Sequence, residues 1–61
     1  MPKMFTVQRE IGKINVMNLQ GEVVYEIAPN VIIVFEDGET SSADLIEDTV
    51  LVAYLNKNGL L

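Results

Sequence analysis

The sequence predicts a mainly β domain, a small antiparallel meander or strongly bent mini-barrel. Three observations predict it. Short apolar runs alternate with turn signals along the whole chain, the pattern of a small antiparallel protein. Two of those runs alternate apolar and polar residues with a period of two. A third, Val31 to Phe35, is apolar at every position and is followed at once by Asp37-Gly38, a strong hairpin signal. The rival architecture is α+β, a four-stranded antiparallel sheet with one C-terminal helix from about Ser42 to Lys57.

Met4 to Gln8 reads as the first strand, broken by Arg9-Glu10-Ile11-Gly12. Lys13 to Met17 alternates, with Ile14 and Val16 on one face. Asn18-Leu19-Gln20-Gly21 is a turn. Glu22 to Ile27 alternates again, with Val23, Tyr25 and Ile27 facing one way and Val24 the other. Ala28-Pro29-Asn30 is a tight connection, because Pro29 presets its φ and Asn30 tolerates the left-handed region. In the next strand Val31, Ile33 and Phe35 line one face, Ile32 and Val34 the other. A strand apolar on both faces is normally covered on both. The return strand, Glu39 to Ser42, is polar and so is expected at an edge.

Two signals compete in the last third. Its ends favour a helix: Ser41 or Ser42 to cap it, Asp44, Glu47 and Asp48 near the positive end of the dipole, Lys57 near the negative end, and Gly59 at C′. Its middle favours a strand, because Thr49 to Leu55 is rich in β-branched and aromatic residues. On a helical wheel the apolar residues from Val50 to Leu55 leave no polar face. One helical turn at Ala43–Glu47 and a strand at Thr49–Tyr54 is therefore the expected reading.

Sixty-one residues make a single small domain, residues 1–61. A chain this short buries only about 60% of its unfolded surface, so small folds usually need a disulfide, a metal or a partner. There is no cysteine and no histidine, which excludes disulfides and the usual zinc sites. Yet 49% of the residues are hydrophobic and the mean hydropathy is +0.28. That exceeds what one small core needs, and the excess reads as an interface. No cofactor is expected.

Net charge is −5, and the segment from Glu22 to Asp48 carries eight carboxylates with no lysine or arginine. The charge therefore argues against nucleic acid and anionic membrane surfaces as partners, since both are held by basic residues. No apolar run approaches the ~20 residues of a membrane span. Met1 to Phe5 shows no signal-peptide pattern, so the cytoplasm is the expected location. By association alone, a small acidic chain of this kind suits a phage or mobile element.

Catalytic chemistry finds little support. Thr40, Ser41, Ser42 and Thr49 have no histidine to activate them, and Lys3, Lys13 and Lys57 show no spacing that would replace it. A calcium loop starting at Asp37 fails, because Ser42 stands where glycine is required and Asp48 where glutamate is. Phe5, Tyr25, Phe35 and Tyr54 fall on predicted strand positions and read as core. Arg9, the only arginine, reads as half of a surface ion pair of small value.

Leu19-Gln20-Gly21-Glu22-Val23, Val31 to Phe35, Asp37-Gly38-Glu39 and Thr49 to Val52 together resemble SH3-type or Sm-like mini-barrels. The resemblance implies a bent barrel and, for the Sm-like kind, closure into a ring. The basic residues with which such rings hold RNA are absent between Glu22 and Asp48.

The expected function is binding without enzymatic activity. The first reading is a module that associates with itself or another protein through Val24, Ile32, Val34, Val50, Val52 and Tyr54. The second is an acidic inhibitor that fills a basic groove of an enzyme or nucleic-acid-binding protein with Glu36, Asp37, Glu39, Asp44, Glu47 and Asp48. A ring-forming nucleic-acid binder is third.

Overall fold

Turn chemistry sets the path of the chain in the computed structural model, which describes residues 4–61. Strands β1 (Thr6–Glu10) and β2 (Lys13–Met17) are joined by Ile11-Gly12 alone. The Asn18 side chain organises the next turn, its Oδ1 accepting from the backbone N–H groups of Gln20 and Glu22 at 2.9 Å each. After β3 (Val23–Ile27), the Val31 N–H closes a turn on the Ala28 carbonyl at 3.2 Å. Strands β4 (Ile32–Val34) and β5 (Thr40–Ser42) form the expected hairpin. Its tip needs glycine: the Gly38 N–H donates to the Phe35 carbonyl with φ at +88°, a region that a β-carbon disfavours.

The described residues form an α+β domain: five short antiparallel strands in two sheets and one C-terminal helix. The sheets are β1-β2-β3 and β4-β5, and the described strands do not close into a barrel. The expected mini-barrel is corrected on that point. Nor is the alternative right in detail, since a single four-stranded sheet is replaced by one of three strands and one of two. The Pro29 and Val31 carbonyls accept from the Asp44 and Ala43 N–H groups at 3.1 and 2.8 Å, so the chain entering β4 is tied to the segment after β5 and not to β3.

In the larger sheet, register puts Val7, Val16 and Tyr25 in one cross-strand row, and Arg9, Ile14 and Ile27 in the next. Both rows point to the core. Register shifts between Val16 and Met17, which leaves Val24 without a cross-strand partner. Val23 then lies opposite Met17, so Val23 and Val24 are both exposed. Asn15, on the other face of β2, is buried. Its Nδ2 donates to Glu10 at 2.6 Å, and its Oδ1 has no partner among the described residues.

The strand expected at Thr49–Tyr54 is instead the middle of a helix, α1 (Asp48–Lys57). Strand propensity loses here to the ends. Gly59 takes φ +72°, the Leu60 N–H reaches back to the Leu55 carbonyl at 2.9 Å, and the Gly59 N–H reaches the Asn56 carbonyl at 3.1 Å. That is a complete Schellman stop. Asp48 sits in the first turn and Lys57 in the last, each on the favourable side of the dipole. The helix is shorter than Ser42–Lys57. Ser42 belongs to β5, Ala43–Leu45 is one 3₁₀ turn, and Ile46 and Glu47 are extended.

The apolar run is accommodated in a helix because its base is buried and its flanks are half-buried, while Thr49, Ala53 and Asn56 form the exposed outer ridge. Leu51 and Leu55, four residues apart, are fully buried with Ile14, Val16, Ile27, Ile33 and Ala43 in one cluster. Val52 and Tyr54 pack against its sides, as do Phe5, Tyr25 and Phe35. Only one face of β4 is covered: Ile33 is buried, while Ile32 and Val34 are 59% and 57% exposed.

Arg9 does more than the sequence suggested. It lies in the core-facing row at the end of β1, and its guanidinium reaches three acceptors. Its NH2 group donates to the Ile46 carbonyl at 2.8 Å, NH1 to the Ala43 carbonyl at 3.3 Å, and Nε to the Asp48 carboxylate at 3.0 Å. One side chain thus ties β1 to the segment that leads into α1.

Truncating Leu51 to alanine should cost about 2–5 kcal/mol, the usual range for a buried leucine. Chemical denaturation should show a loss that large against a total of about 3–9 kcal/mol for a domain this size; a loss below 1 kcal/mol would mean the helix is not the core's lid. Arg9→Ala should destabilise more than Asp48→Ala, by about 1–2 kcal/mol, because two of its three acceptors are backbone carbonyls that Asp48→Ala leaves paired. Equal effects in the same assay would show that the ion pair alone matters.

Candidate functional site

Two grooves flank α1, and Ala53 on its outer ridge belongs to both. The first, of about 310 Å³, lies between β4 and α1. Val34, Phe35 and Glu36 form one wall; Val50, Ala53, Tyr54, Lys57 and Asn58 form the other. The second, of about 480 Å³, lies between β1 and α1. It is lined by Met4, Phe5, Thr6 and Val7 on one side and by Asp48, Thr49, Val52, Ala53 and Asn56 on the other.

The helix decides which candidate interface residues meet. On a strand, Val50, Val52 and Tyr54 would share a face. At about 100° per residue, Val50 and Tyr54 fall on one flank of the helix and Val52 on the other. Val34, Val50 and Tyr54 therefore converge on the first groove, while Val52 lines the second. Ile32 lies on the same exposed face of β4 as Val34. Val24 stands apart at the irregularity in β3. Sequence reading missed the Met4–Val7 wall of the second groove. The signal was present, since apolar Phe5 and Val7 flank polar Thr6 in the sequence.

The six acidic candidates divide into committed and free. Glu36 pairs with Lys57 across one end of the first groove, and Asp48 pairs with Arg9. Asp37 Oδ1 accepts from the Glu39 N–H at 3.0 Å and so shapes the hairpin. Asp44 accepts from the Ser42 hydroxyl at 2.7 Å. Among the described residues, no lysine or arginine pairs with Asp37, Glu39, Asp44 or Glu47. The other described lysine, Lys13, lies 4.0 Å from Glu26, and Lys3 falls outside the described residues. No group of three or more carboxylates converges as a metal ion would require, again among the described residues. None of the described helices is long and apolar enough to cross a membrane.

Comparison with family models, with curated proteins and with solved structures finds no match. The functional reading therefore rests on this surface alone.

Proposed function

We propose that the chain is a non-enzymatic binding module of the cytoplasm that associates with copies of itself through β4 and the adjoining flank of α1. One observation carries the reading: Ile32 and Val34 lie side by side on an exposed face, and Val34 continues into a groove walled by Val50 and Tyr54. Contiguous apolar surface of that kind on a small domain is usually an interaction site. A short chain also gains most from association, because its own core is small.

Light scattering behind a sizing column, over a wide concentration range, tests this. The mass should rise above that of one chain, and Ile32→Asp or Val34→Asp should return it to one chain. Both side chains are exposed, so the far-UV circular dichroism should be unchanged. Added salt should strengthen the association, because each copy carries a net charge of −5 and screening relieves their repulsion. Monomer at every concentration would sink the reading.

A second reading, the acidic inhibitor, draws on the free carboxylates of the hairpin tip and the approach to α1. Asp37, Glu39, Asp44 and Glu47 are all exposed and without ion-pair partners among the described residues. Lysine at Glu39, Asp44 and Glu47 together should abolish binding to a basic partner and leave the apolar face of β4 in place. Unchanged inhibition by that triple variant would end the mimicry reading. Under it, salt weakens partner binding, the opposite sign from self-association.

A further inference from the structure

Among the described residues, strand β4 is hydrogen-bonded to one strand, β5, and no strand pairs along its second edge. The hydrogen bonds that flank the hairpin fix which groups point to that edge. The Phe35 N–H donates to the Glu39 carbonyl at 2.9 Å, and the Ala43 N–H donates to the Val31 carbonyl at 2.8 Å. In an antiparallel ladder such pairs alternate, so residues 31, 33 and 35 face β5 and residues 32 and 34 face away. The backbone N–H and C=O groups of Ile32 and Val34 therefore point outward, and among the described residues they have no hydrogen-bond partner beyond the hairpin. Natural strands usually protect such an edge with a charge or a proline. β4 has neither between Val31 and Phe35.

We infer that β4 of one copy pairs antiparallel with β4 of a second, about a two-fold axis at Ile33, to make a continuous sheet β5-β4-β4-β5. The inference rests on the self-association reading and names its mode. Antiparallel pairing centred on Ile33 sets Ile32 against Val34 of the second copy, and Val34 against Ile32. Each of these pairs exchanges two backbone hydrogen bonds, and Ile33 meets its own copy in the non-bonded position between them. Val31 falls opposite Phe35. At the ends, the Glu36 carboxylate falls opposite the neutral amide of Asn30, so no like charges meet across the strands. A slip of two residues in either direction breaks this match, because it sets Glu36 against Ile32 or Asn30 against Val34. The sequence of the edge is thus complementary to itself in one register. The edge of β5 offers no such match: its strand, Thr40-Ser41-Ser42, is polar throughout.

Amide hydrogen exchange on the ¹⁵N-labelled full chain, read by NMR below and above the concentration at which the mass doubles, tests this directly. The amides of Ile32 and Val34 should slow by at least tenfold in the associated state. Those of Thr40 and Ser42, on the outer edge of β5, should not change. If the mass doubles while Ile32 and Val34 exchange as fast as before, strand pairing is overturned and self-association through side chains stands. If the mass never exceeds one chain, both are overturned.

Discussion

The fold depends on Leu51 and Leu55 being buried by one helix against two sheets. A two-stranded hairpin is marginal in water by itself, and β4-β5 contributes one fully buried strand residue, Ile33. The three-stranded sheet contributes more, through Ile14, Val16 and Ile27, but along one face only. The two leucines join these half-cores into one cluster. Everything on the surface follows from that placement. The helix stands proud of both sheets, so a groove opens along each flank.

Several elements were legible in the sequence because their causes are local. Asn18, Pro29 and Gly38 act within four residues of themselves, and each turn falls where those residues stand. The helix stop at Gly59 was equally local and equally readable. What misled was the β-branched run between the stops, where propensity and capping disagree. Tertiary burial of Leu51 and Leu55 resolves that disagreement, and burial is not written in any short window. Barrel closure is likewise non-local: it depends on whether β4 pairs with β3, which no run of residues declares.

The candidate site was legible in part, for the same reason. Val34, Val50 and Tyr54 stand out in the sequence as apolar residues beyond the needs of a small core, and the fold brings them to one groove. A period of two groups Val52 with them, and the helical period moves it to the other flank. Val24 was expected on a regular strand face, and a shift in pairing isolates it. The role of Arg9 was hidden because β1 runs two residues further than the pattern suggested, which carries Arg9 onto the core-facing row.

Arg9 also has a bearing on how the chain assembles. The three hairpins and the helix each form from neighbouring residues, on timescales of roughly 0.1–10 μs. The guanidinium, by contrast, bonds to groups 34 to 39 residues further along. Closing so long a loop carries an entropic cost that only a nearly complete core repays. The clamp is therefore expected to form on the far side of the folding barrier. Weakening it would then speed unfolding while leaving the folding rate nearly unchanged. A single exposed arginine would govern how long the folded state lasts rather than how quickly it is reached.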